Sequence, residues 1–132
     1  MTRIFIASTP WNPDKKWYGT PCKSVGVAVK ISGSEGKKTF VAGGTNLRDV
    51  PLLILEALES VKGEDAVTIF ADGSYAESVK KIAAHVFKDR PFDINTISKT
   101  HRKESSEMYD LAKVGSISMK KQFFNKDMKL MK

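Results

Sequence analysis

Only one cysteine, Cys22, stands among the 132 residues. The chain therefore has no internal disulfide and reads as suited to a reducing, cytoplasmic setting. Long apolar runs are missing too. The longest, Val50 to Leu55, includes Pro51 and falls far short of the ~20 residues a membrane helix needs. Residues 1–8 (MTRIFIAS) read as a strand, without the extended apolar segment or small-residue cleavage site of a secretory leader. Neither GxGxxG nor GxxxxGKS/T occurs, which excludes the usual phosphate loops. With two histidines sixteen residues apart and a lone cysteine, the chain has no zinc-site spacing. It also places no serine or cysteine triad together.

What is present is globular: 41% hydrophobic and 28% charged residues, in a length that fits one domain. Net charge is +7, unevenly spread. Residues 113–132 hold six lysines against Asp127, a local +5 that leaves +2 for residues 1–112. A basic tail suits an anionic partner, nucleic acid in particular, although it also serves plain solubility.

Periodicity orders the elements. Residues 3–8, 24–32 and 37–42 are rich in β-branched residues and read as three strands of an antiparallel meander. A loop at 9–23 with three prolines separates the first two, and sets Trp11, Trp17 and Tyr18 beside Lys15 and Lys16. Apolar residues then recur at helical spacing over 47–62, with Asn46 as N-cap and Gly63 as the stop. Residues 66–71 (AVTIFA) read as a strand covered on both faces. Ser74 to Glu77 is a capping box for a second helix, whose apolar stripe runs from Val79 to Phe87. A fifth strand at 92–98 and a third helix from Ser105 to Gly115 complete the order β-β-β-α-β-α-β-α. That order predicts an α/β fold, a five-stranded mixed sheet with helices on its faces, over residues 1–115. Residues 116–132 read as a basic tail or an extra helix.

The acids at element ends are the candidates for chemistry: Asp49, Asp72 and Asp110. Carboxylates gathered at strand ends hold Mg²⁺ in phosphodiester hydrolysis. Each also has a structural explanation, as a helix-cap residue, a turn residue and a solvated helix residue.

The element order resembles the ribonuclease H fold, and three stretches carry the likeness. Thr45 to Asp49, followed by Leu55 to Leu58, resembles the family's entry to its first helix, where a catalytic glutamate sits. Phe70-Ala71-Asp72-Gly73-Ser74-Tyr75 is similar to the strand-end motif that supplies a catalytic aspartate. Ser98-Lys99-Thr100-His101 and then Met108 to Lys113 resemble the family's histidine loop and final helix. The resemblance implies that Asp72, Asp49 and Asp110 occupy catalytic and metal positions, and that His101 is the mobile histidine. It departs at the first strand, where Ala7 replaces the aspartate that bridges both metals. An alternative register puts Leu47 in the place of Asp49, and Tyr109 competes with Asp110 for the metal side.

Two metals bring about four positive charges together, and the bridging acid offsets their repulsion. Without it, one loosely held Mg²⁺ is the most expected. The chain reads as a nucleic-acid-binding protein with an incomplete site, taking RNA, DNA or their hybrid. Lys15, Lys16, Trp17, Lys99, Arg102, Lys103, Lys120 and Lys121 are its candidate contacts. Two alternatives stand: an Mg²⁺-dependent nuclease acting on RNA–DNA hybrid, and a protein-interaction or inhibitor module reusing the fold.

Overall fold

The computed structural model describes residues 1–11, 24–33, 36–45, 48–72, 76–97 and 102–131. Its elements are β1 (Thr2–Trp11), β2 (Ser24–Gly33), β3 (Gly36–Gly44), α1 (Asp49–Glu59) and β4 (Val67–Ala71). There follow α2 (Ala76–Val86), β5 (Phe92–Thr96), α3 (Arg102–Ser118) and β6 (Gln122–Asn125). The first eight keep the order read from the sequence; β6 is additional.

All six strands form one mixed sheet in the order β5-β4-β1-β2-β3-β6. β1, β2 and β3 are the antiparallel meander, while β4 runs parallel to β1 and β5 parallel to β4. This is the ribonuclease H-like arrangement, widened by one strand. Alternation along the strands separates two cores. Ile4, Ile6, Val27, Val29, Phe40 and Ile69 face α1 and α2. Phe5, Ala7, Ala28 and Phe70 face Met108 and Ala112 of α3. Each fully buried aliphatic or aromatic side chain contributes roughly 1.5–3 kcal/mol.

β1 extends past the expected Ser8 as far as Trp11, pairing through Pro10 with Val25. Proline lacks an N–H, but pairing with β4 stops at Ile6, so one side of β1 is open where Pro10 falls. The start of β1 is tied down by Arg90, whose side chain is only 7% exposed. Its guanidinium donates to Asp65 Oδ1 at 2.7 Å and to Thr2 Oγ1 at 3.1 Å, and Thr2 Oγ1 donates to Asp65 Oδ2 at 2.9 Å. The Thr2 hydroxyl and the Arg90 charge hold the Asp65 carboxyl below its usual 3.8.

Several boundaries differ from expectation: α1 is capped at Arg48 and not Asn46 and ends at Glu59, β5 ends at Thr96, and α3 starts at Arg102. Two further differences have clear physical reasons. Gly115 does not end the third helix, which runs on to Ser118 and closes on Met119 in the left-handed region, φ 59°. Gly115 instead lets α3 touch the sheet, since a Cβ there would meet the Ala42 carbonyl oxygen at 2.3 Å. Residues 116–131 are neither a loose tail nor an extra helix, and Lys132 lies outside the described residues. They finish α3 and then add β6 to the free edge of β3, pairing Phe123 with Phe40 and Phe124 with Thr39. Strand pairing satisfies backbone groups that β3 would otherwise leave open. No helix among the described residues is long and apolar enough to cross a membrane.

Candidate functional site

Ile6 faces Ala71 in the parallel β1–β4 ladder, so the next residues, Ala7 and Asp72, stand at the same level. This is the carboxyl end of two parallel strands, where open α/β sheets place their ligands. Phe70 faces α3, so by alternation Asp72 does too. Tyr109 confirms it: its hydroxyl donates to Asp72 Oδ2 at 3.0 Å. Ala7 is 1% exposed and packed with Met108 and Ala112, so a methyl group fills the place where the resemblance expects an acid. The next residue, Ser8, turns a buried hydroxyl toward the other face, where it has no hydrogen-bond partner among the described residues. A neutral hydroxyl does not replace a bridging carboxylate.

Asp49 lies elsewhere. Its Oδ2 accepts from the Thr45 N–H at 2.7 Å and the Thr45 hydroxyl at 3.2 Å. The carboxylate rests on Gly44, where an added Cβ would meet Oδ2 at 2.7 Å. Gly43 faces Gly115 of α3, so Gly44, and with it Asp49, is on the α1 face. Asp49 and Asp72 are thus on opposite faces and three strand spacings apart, about 14 Å along the sheet. The position at the start of α1 gives Asp49 a helix-terminus role.

Asp110 is exposed and adjacent residues on a helix do not share a face, so Tyr109 is the α3 residue that reaches Asp72. The expectation that Asp49, Asp72 and Asp110 meet in one coordination sphere is therefore corrected. Magnesium needs near-octahedral oxygen ligands at about 2.1 Å. Among the described residues, no three His, Cys, Asp or Glu side chains gather to hold a metal. Ala7, the Tyr109-bonded Asp72 and the remote Asp49 do not fit a two-metal centre.

Of the expected nucleic-acid contacts, Lys15, Lys16, Trp17 and Lys99 lie outside the described residues, as does His101. Arg102 opens α3, with Lys103 exposed beside it. Lys120 is exposed, whereas Lys121 pairs with Glu56 at 3.0 Å in a solvent-screened contact worth little.

A basic group was missed in the strands themselves. Directly paired residues share a face, so Thr68, Arg3, Ser32 and Lys37 form one row across β4, β1, β2 and β3. The next row is Phe70, Phe5, Lys30, Thr39 and Phe124. Lys126, in the turn just after Asn125, the partner of Lys38, lines one cleft with Lys37 and Lys30. Both rows are on the α3 face. Arg3 lies 5.5 and 5.2 Å over the rings of Phe5 and Phe70, which stack 4.6 Å apart. A single cation within each of β1 and β2, Arg3 and Lys30, was the available signal, but only register shows that they share a face.

No family model matches the chain, and no curated protein matches it. Among solved structures it is similar to the Argonaute of A. aeolicus, with a TM-score of 0.49 and 10% identity. The match covers 72% of this chain and 14% of that one, so the chain spans about one-seventh of its length.

Proposed function

We propose that this chain is a ribonuclease H-fold nucleic-acid-binding protein that does not cleave its ligand. One observation carries the non-catalytic part: buried Ala7 stands beside an Asp72 carboxylate that is occupied by the Tyr109 hydroxyl. Hydrolysis by two metals needs an anionic bridge at that place, and neither a methyl group nor a phenol supplies one. The net charge of +7 supports a polyanionic partner, bound mainly through its phosphates.

The test is a gel-shift panel of single-stranded, duplex and RNA–DNA hybrid oligonucleotides over a salt series, in Mg²⁺ and in EDTA. The expected result is salt-sensitive binding that survives EDTA, with no cleaved product in Mg²⁺. Hybrid cleavage that needs Mg²⁺ and is abolished by Asp72→Asn would reject the non-catalytic reading. Failure of every oligonucleotide to bind at low salt would reject the nucleic-acid reading. A second reading, a protein-interaction module, is favoured by Val114 and Ile117, three residues apart on α3 and both more than half exposed.

A further inference from the structure

We propose that the strip of sheet left uncovered beside α3 is where this protein holds single-stranded nucleic acid, with phosphates on Arg3, Lys30, Lys37 and Lys126. The proposal rests on the nucleic-acid reading above and gives it a location remote from Asp72.

Arg3, Ser32 and Lys37 lie on successive strands and Lys126 in the turn that follows β6, so the group extends over about 14 Å, with Lys30 one step above the row. Among the described residues, no carboxylate is within ion-pair distance of these four cations. Cations strung in a line match a chain of phosphates; a single phosphate would need them to converge.

The strip is bounded. Lys30, Lys37, Thr39 and Lys126 line a cleft of about 210 Å³ against Glu107 and Met108 of α3. Such a cleft seats one base or sugar and is too small to admit a duplex. At its β1 side, Arg3 is exposed while its inner surface rests on the stacked Phe5–Phe70 pair. A guanidinium plane fixed in this way offers its outer face to an unstacked base. Charge along the backbone with a stacking platform beside it is how single strands are held without sequence reading. An acidic peptide would satisfy the cations but leave the Arg3 plane unused.

The experiment uses the full chain and a fluorescein-labelled oligothymidylate, read by anisotropy across a salt series. The triple variant Lys30→Gln, Lys37→Gln, Lys126→Gln should bind at least tenfold more weakly. Its log–log salt slope should fall by about two units, at ~0.7 per lost single-strand phosphate contact. A control triple, Lys80→Gln, Lys81→Gln, Lys88→Gln, removes equal charge from exposed positions on or just beyond α2, which packs on the other face of the sheet. It should retain affinity within about twofold. Arg3→Lys should keep the slope and lose about three- to fivefold in affinity, the weight of one exposed stacking contact.

Equal losses in the two triples would overturn the proposal, since binding would then follow net charge without a defined place. Displacement of the oligonucleotide by polyglutamate at equal charge concentration would overturn it in favour of an acidic protein partner. Absence of wild-type binding to any oligonucleotide would remove the parent reading as well, which separates the two failures. Thermal melts of each variant establish that the surface changes leave the fold intact.

Discussion

Gly26 and Gly115 mark where helix α3 rests directly on the sheet backbone. A Cβ at Gly26 would lie 1.6 Å from the Ala112 carbonyl oxygen, and the atoms it meets are backbone, so neither side can yield cheaply. Gly26→Ala should destabilise the protein by about 3 kcal/mol, the upper end of ordinary overpacking, in urea unfolding. A loss under about 1 kcal/mol would mean that α3 is set further from β2. Asp65 makes a second prediction. Its carboxyl is held low mainly by the Thr2 hydroxyl and also by Arg90, so its folded value lies below its unfolded one. The stability it contributes is present above about pH 4 and is lost as pH falls through the folded value. Asp65→Asn should be less stable at neutral pH and lose less stability on acidification below pH 4. An unchanged acid slope in unfolding measurements would contradict this. At this scale the sequence was ambiguous for one reason: a glycine after an apolar run reads the same whether it stops a helix or admits a close neighbour. Gly115 is the second kind.

Among the elements, β6 departs most from expectation. Phe123 packs on Phe40 with ring centroids 4.9 Å apart, and the Lys38 ammonium lies 5.4 Å over its ring. Lys38 also donates to the Ser60 carbonyl oxygen, which links β3 to the end of α1. Residues 122–125 are therefore part of the sheet, so the charge of the segment around them cannot be studied by truncation. Phe123→Ala should cost about 2 kcal/mol, somewhat less than for a fully buried phenylalanine. Deleting residues 119–132 should cost more, because it also strips the backbone partners from β3. Melting temperatures of the two variants check this, and an undestabilised deletion would show β6 to be dispensable. The strand was hard to read in advance because Phe123, Phe124, Met128 and Met131 lie at a spacing that a helix also accommodates. Four residues are too few for period two to win over period 3.6 without the partner strand in view.

For the molecule as a whole, β1 is paired on both sides and covered on both faces, whereas β5 and β6 are edges. β5 is also largely exposed, and only short strands form the two edges. Amide hydrogen exchange should accordingly be slowest in residues 4–7 and 67–71, and fastest among the strands in 92–96 and 122–125. Equal protection across all six strands would mean that the sheet opens only by global unfolding.

The element order, the two apolar periodicities and the +7 charge were all fixed by local pattern, and so could be read from the sequence. Parallel pairing of β1 with β4 followed from the helix between them, because that connection leaves few other topologies. Face and distance were decided by tertiary structure alone. Asp49 and Asp72 look like partners in a linear motif, yet the registers of β3 and β4 put them on opposite sides of the sheet. Arg3, Lys30 and Lys37 are scattered over three strands and come to one face only when those strands pair. A one-residue slip would turn any of them to the other face. Register arises from packing the whole sheet against three helices, and no single segment contains it.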